Sequence, residues 1–385
     1  MNRSMLLVVC GLTLLMTMGI STLLPLLPFL ASHFGTSPDD SWKIIVAMAL
    51  PGLICIPFVG VWADRHGRKQ VLVPSLILFA AGGFCCMFAQ SFTQLLVFRV
   101  IQGMGSAPMG LLYSTIIADT WQDEQRVKAM SHCSVCLGLG TAAGPVIGGA
   151  LAVLDWRLPF ALPLLALPLA ALALRLPLAR PENSGSFRAY MQSAISCARQ
   201  RQTLALLGLT LLTFIMLSGP IITCFPLLAD KLFNASPLES GLIISASSLA
   251  TGLTAWLLPR LSRRFSTRPL LLTSCALYAV ALWGIALTTN LWWLAAPIII
   301  YGFAQGLNIP MVSTLLTGQA PDGQRAALMA ANAILLRLGQ NAGPAVFGLL
   351  AGNIGPDKAI AAGTILVLGM AALVLTTPLP ELQQQ

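Results

Sequence analysis

The chain has 385 residues, 56% of them hydrophobic and only 9% charged, with a mean hydropathy of +0.81. Soluble domains carry about 25% charged residues, so a water-soluble fold is excluded and a polytopic membrane protein remains. The formal charge of +9 would suit a nucleic-acid partner in a soluble protein, but no basic stripe interleaved with aromatic residues occurs, so none is expected and the excess needs a topological explanation.

A spanning helix needs about 20 apolar residues at 1.5 Å rise. The first uncharged run, Met5 to Leu30, follows Asn2 and Arg3 as the core of a signal peptide would. It is too long for that and lacks an Ala-x-Ala site followed by a soluble domain, so it is expected to stay as the first helix. Five more helices are expected near 44–63, 71–90, 94–117, 130–153 and 158–176, and a second six near 203–229, 238–259, 269–289, 291–317, 325–351 and 358–378. Residues 1–176 and 203–385 then form two six-helix halves of an all-α membrane protein. The polar connector 177–202 holds no apolar run long enough to span.

Twelve spans put both termini on one side. With the N-terminus inside, sixteen of the 22 basic residues face the cytoplasm and four (Lys43, Arg157, Lys231, Lys358) face outward, leaving Arg99 and Arg337 within helices. The positive-inside rule therefore predicts cytoplasmic termini and connector in a bacterial-type inner membrane, and it accounts for the basic balance. Of the nine cysteines, all but Cys197 lie in spans and Cys197 lies in the connector, so no pair faces an oxidising compartment. Cys133-x-x-Cys136 has no His or Cys partner evident elsewhere in the pattern and reads as helix packing rather than a metal site.

An internal duplication is visible. Leu139-Gly140-Thr-Ala-Ala-Gly144-Pro145 recurs 199 residues later as Leu338-Gly339-Gln-Asn-Ala-Gly343-Pro344, followed by Gly148 in one copy and Gly348 in the other. Gln102-Gly103 recurs as Gln305-Gly306, and the basic stretch Arg65 to Lys69 has a counterpart in Arg260 to Arg268. Matches in the same order imply two parallel six-helix repeats, the architecture of a large transporter class.

Between the second and third helices stands Gly60-Val-Trp-Ala-Asp64-Arg65-His66-Gly67-Arg68-Lys69. Gly60 allows close helix approach, Gly67 a tight turn, and Asp64 a carboxylate able to pair with arginines or a helix end. This segment resembles the signature of the major facilitator superfamily, and the resemblance extends along the whole chain in span number, central connector and order of motifs. Leu95-x-x-x-Arg99-x-x-Gln102-Gly103-x-Gly105-x-Ala107 on the fourth helix is similar to the family pattern. An arginine there costs roughly 2.5 to 3.5 kcal/mol on insertion scales unless it faces protein or water, so Arg99 is expected to point into the bundle. Gly140, Gly144 and Gly148 recur every four residues and form a small-residue face. With Pro145 and Gly149 they resemble the pattern that the family associates with exporting antiporters. Asp119 resembles the acid that many members place beside the loop motif, and Asp64, Arg65, Arg68 and Asp119 are expected to form a charge-assisted latch.

The resemblance implies a secondary transporter, not an enzyme, whose cavity lies between the halves and is lined by helices 1, 4, 7 and 10. Candidate substrate residues are then Tyr113, Thr213, Thr223, Gln305 and Asn308, together with Arg337, about 18 Å into its helix at 1.5 Å per residue. Arg337 aligns with Gly138 in the repeat, so packing does not require it, and with Arg99 it would favour anionic, zwitterionic or neutral polar substrates. None of the 13 acids lies deep in a predicted span, although drug:proton antiporters often carry such a carboxylate. His132 titrates near neutrality in principle and reads as interfacial. No P-loop is present and no cofactor is expected. The expected function is export of a small amphipathic molecule by proton antiport, as in multidrug efflux, from a monomer whose partners are substrate, protons and lipid. A proton-linked importer of an anionic nutrient fits the same architecture. A membrane-embedded enzyme does not, because His33, His66 and His132 are scattered without buried acids beside them.

Overall fold

The structure, a computed structural model, describes residues 3–176, 201–318 and 325–377. Apart from its last two residues, the predicted connector lies outside them. The described residues are mostly helical, joined by short turns, without a strand among them. Twelve long helices follow in chain order: α1 Arg3–His33, α2 Trp42–His66, α3 Arg68–Cys86, α4 Phe92–Thr120, α5 Asp123–Leu154, α6 Leu158–Arg175, α7 Arg201–Phe233, α8 Pro237–Ser262, α9 Thr267–Leu287, α10 Trp292–Gly318, α11 Arg325–Ile354 and α12 Pro356–Thr376. The described parts of eleven are long and apolar enough to cross a membrane; α2, with its 25 residues, is uncharged from Ile44 to Ala63. The hydropathy ruler finds only the apolar stretch of each helix. Thus α5 begins at Asp123 rather than near 130, because acids in a first turn favour the positive end of the helix dipole.

The described residues form two compact units, one of 3–176 with 236–242 and the other of 201–235 with 243–377. In the first, Leu12, Leu72, Leu76, Phe79, Leu112 and Ile117 make a buried apolar centre. In the second, Leu206, Tyr278, Ile298, Tyr301 and Leu316 are fully buried.

Each unit is held along a seam of small residues. α5 lies on α1 so closely that a Cβ at Gly140, Gly144 or Gly148 would meet Thr17, Ser21 and the Thr22 carbonyl respectively. The Ser21 hydroxyl donates across the seam to Gly140 O at 2.8 Å. The second unit repeats this between α7 and α11: Ser218 donates to Gly339 O at 3.0 Å, and a Cβ at Gly343 would meet Ser218. One position is swapped. Where the first seam sets Gly148 against Thr22, the second sets Phe347 against Gly219, so the small residue changes sides and the spacing survives.

Both seam helices break beside these serines. α1 is α-helical to Ser21, turns through a tight 3₁₀ segment at Leu24–Leu26 containing Pro25, and resumes at Leu27. α7 widens into a π-helical stretch over Leu217–Cys224, containing Pro220, and resumes at Phe225. Proline lacks the N–H that would continue the ladder and crowds the preceding turn. The repeats also share a helix-end device: Lys69 donates to the Leu174 carbonyl at the end of α6 (2.7 Å), and Arg268 donates to Val374 O (3.1 Å) and Leu375 O (2.6 Å) at the end of α12. A cation on the carbonyl end of a helix answers both its dipole and its unpaired acceptors.

The seam makes a sharp contrast between two glycines of one helix. Gly148→Val should lose about 1–3 kcal/mol through overpacking and lower the thermal midpoint of the purified protein. Gly138→Val, where an added Cβ meets nothing within 4 Å, should stay within about 0.5 kcal/mol of the parent.

Candidate functional site

The loop motif resolves into one ion pair among the described side chains. α2 ends at Gly67, whose φ of +97° a side chain would resist, and Arg68 opens α3. Its Nε donates to Asp119 Oδ2 at 3.0 Å, with the arginine side chain 9% exposed and the aspartate 29%. Each charge stands at the wrong end of its own helix, a cation at the start of α3 and an anion in the last turn of α4, where the dipoles disfavour them. Pairing offsets both. Gly60 lies in α2, and the side chains of Asp64 and Arg65 fall outside those described.

Arg99 is buried in the first unit at 2% exposure. Its Nη1 donates to Gln102 Oε1 at 2.7 Å and to Gly19 O at 3.2 Å, and no carboxylate lies within ion-pair distance of it among the described residues. The α1 break supplies the carbonyl: Leu23 N–H turns to Ile20 O (3.1 Å), which leaves Gly19 O available. Nε has no hydrogen-bond partner among the described residues. Such a cation is held by dipoles alone, and burying it costs several kcal/mol before they compensate.

The second unit holds a cavity of about 80 Å³ between α7, α10 and α11, lined by Thr210, Thr213 and Phe214, by Asn308, Ile309, Val312 and Ser313, and by Asn332 and Leu336. Thr213 donates to Asn308 Oδ1 at 2.7 Å and Thr210 to Asn332 Oδ1 at 2.8 Å, while Asn308 Nδ2 reaches Ser274 Oγ at 3.4 Å. The Thr213 proton is thus committed to an amide oxygen, and the Thr210 proton is shared between Asn332 Oδ1 and the Leu206 carbonyl (3.2 Å), leaving the Asn332 N–H groups and hydroxyl lone pairs for a guest. Drug-sized sites occupy roughly 300–1,000 Å³, so this cavity suits one polar group of a larger molecule. Arg337 follows Leu336 and is partly buried. Asn341 Nδ2 donates to the Arg337 backbone carbonyl at 2.8 Å, and among the described residues the Asn341 amide oxygen accepts no hydrogen bond, from the guanidinium or otherwise.

Of the predicted substrate residues, Thr213 and Asn308 meet at this cavity, while Arg337 follows the lining residue Leu336 along α11 and does not itself line it. The other three are elsewhere. Thr223 donates to Ser218 O at 2.7 Å, five residues back in the π-helical stretch, and so satisfies backbone rather than a guest. Gln305 accepts from Thr251 of α8 at 3.3 Å. Tyr113 packs against the apolar centre of the first unit. Sequence reasoning missed Thr210, Ser313 and Asn332 as cavity residues. The three-residue spacing of Thr210 and Thr213, which puts both on one helix face, was the available signal. Gly140, Gly144 and Pro145 lie in the α5 helix, the glycines against α1. Among the described residues no group of three or more His, Cys, Asp or Glu side chains is arranged to hold a metal ion.

A twelve-helix, internally duplicated membrane protein with a polar cavity inside one repeat and glycine seams in both is a transporter architecture. Residues 9–232 and 204–385 match the family model of the Major Facilitator Superfamily, and the chain belongs to that superfamily. It is similar to the bacillibactin exporter of Bacillus subtilis (strain 168), 32% identical over 154 residues, and to the quinolone resistance protein NorA of Staphylococcus aureus, 32% identical over 146 residues. In each case the match covers 38% of this chain and 38% of the relative. The fold is similar to those of the human organic anion transporter MFSD10 (TETRAN), with a TM-score of 0.72, 22% identity and coverage of 97% and 99% of the two chains, and of a D-xylose-proton symporter, with a TM-score of 0.77, 18% identity and 98% coverage of both.

The Arg68–Asp119 pair can be weighed directly. In a double-mutant cycle of Arg68→Gln and Asp119→Asn, read by thermal unfolding, the coupling energy should be about 1 kcal/mol. Simple additivity of the two substitutions would mean the charges act independently.

Proposed function

We propose that this transporter exports a small amphipathic molecule in exchange for protons, from a bacterial-type inner membrane in which both termini face the cytoplasm, and that it works as a monomer. The observation that carries the reading is the α1–α5 seam: Gly140, Gly144 and Gly148 pack on Thr17, Ser21 and Thr22 in the Gly-Pro pattern that the family associates with exporting antiporters. The similarity to a siderophore exporter and a quinolone resistance protein supports the same direction and a drug-like or metabolite substrate. The Arg68–Asp119 pair serves in this reading as the described part of a latch that must open once per cycle. Inverted vesicles with an acid interior should accumulate labelled substrate, and collapse of the pH gradient should stop it. Accumulation that ignores the gradient would leave a facilitator, and accumulation only with an alkaline interior would indicate a symporter working as an importer.

The cavity supports a binding subsite in the second unit for one polar group, with Arg337 beside it favouring negative or neutral guests over cations. Truncating a group that holds a charged partner costs more for the charged than for the neutral ligand. Arg337→Gln should therefore weaken an anionic substrate at least about tenfold, or 1.4 kcal/mol, and a neutral analogue far less, as read by competition binding. Equal losses at normal protein levels would return Arg337 to a structural role.

A further inference from the structure

The Cys133-x-x-Cys136 pair acquires the partner that the sequence pattern did not reveal. Cys10 Sγ of α1 lies 4.0 Å from Cys133 Sγ of α5, and Cys136, one turn along α5, stands beside Cys10 as well. All three are free thiols, with Cys133 buried and the other two partly exposed. Thr13 and Tyr113 are neighbouring polar groups, and among the described residues no charged side chain acts on Cys10 or Cys133. The cluster continues the α1–α5 seam, two helical turns from the contact between Thr17 and Gly140. It also occupies a telling place in the repeat: Thr13 and Cys133 correspond to Thr210 and Asn332, two walls of the cavity in the second unit. Where one repeat presents hydroxyls and amides, the other presents sulfur.

We propose that Cys10 and Cys133 form a dithiol site for a soft divalent cation that accepts two-coordinate thiolate ligation, Hg(II) being the probe. Thiolate is the ligand that soft ions select. Binding breaks two S–H bonds, forms two S–metal bonds and releases two protons to the buffer, with no change of oxidation state. The charge balance sets the class. Two thiolates around a monovalent ion leave a net negative charge in an apolar setting without a cation beside it, which is costly. Around a divalent ion the complex is neutral. Two sulfurs suffice for such an ion, so it does not need a group of three or more ligands, of which none occurs among the described residues.

The test is retention of mercury by the purified full-length protein after gel filtration in excess monothiol, which strips ions held by single cysteines. Two thiols on one scaffold should hold the ion about 10²-fold or more tightly than either alone, so one Hg(II) per chain is expected to remain. Cys10→Ser and Cys133→Ser should each release it, whereas Cys136→Ser and Cys55→Ser should not. A variant keeping only Cys10 and Cys133 should still retain one, which guards against a single substitution that acts by misfolding. No retained mercury in the parent protein, retention unchanged in Cys10→Ser, or loss in Cys136→Ser with retention in Cys133→Ser would each overturn the assignment.

Discussion

Inside a bilayer, apolar side chains gain nothing by leaving lipid for one another, and the seams of this chain work without that force. Glycines on α5 and α11 let backbones approach to contact, and the Ser21 and Ser218 hydroxyls use the proximity to reach carbonyls across the seam. Dispersion over a close surface and a bond that lipid cannot offer replace the hydrophobic effect. The breaks in α1 and α7 sit beside those serines, at prolines whose missing N–H already interrupts the ladder. Rigid contact and backbone irregularity thus meet at one level of each unit.

The second consequence is electrostatic. Several charges of the described residues are placed where helix ends and breaks provide for them. Arg99 takes the Gly19 carbonyl that the α1 break makes available. Arg68 and Asp119 each occupy the unfavourable end of a helix and are stabilised by the other. Lys69 and Arg268 answer the carbonyl ends of α6 and α12. Backbone dipoles therefore do much of the work that buried carboxylates would do in water-soluble proteins.

Against this shared scaffold the two repeats differ in chemistry. Asp64 and Arg68 of the first loop correspond to Arg263 and Thr267 of the second, so the acidic position has no equivalent there. Arg99 corresponds to Gly302, which instead approaches the Ser247 carbonyl, and Arg337 corresponds to Gly138, which faces open space. Seam positions are repeated or compensated, as Gly148 and Phe347 illustrate, because backbone spacing must be kept. Where the backbones are not in contact the side chains are free to diverge, and such positions carry the thiols of one unit and the amides of the other.

Span number, the duplication and the family were legible in the linear chain, because a bilayer demands long uncharged runs and because Asp64, Gly67 and Arg68 stand at fixed spacing within one turn. Such signals are local and need no partner. What only the tertiary structure decided was which polar residues meet. Thr213 and Thr223 are alike in sequence, both buried on one helix. The π-helical stretch turns Thr223 back to its own backbone while Thr213 reaches Asn308 on α10. Cys10 and Cys133 are 123 residues apart, and nothing in either segment names the other. Pairing across helices depends on rotation and depth, which composition and periodicity leave open until the seam glycines fix how closely, and in which register, the helices pack.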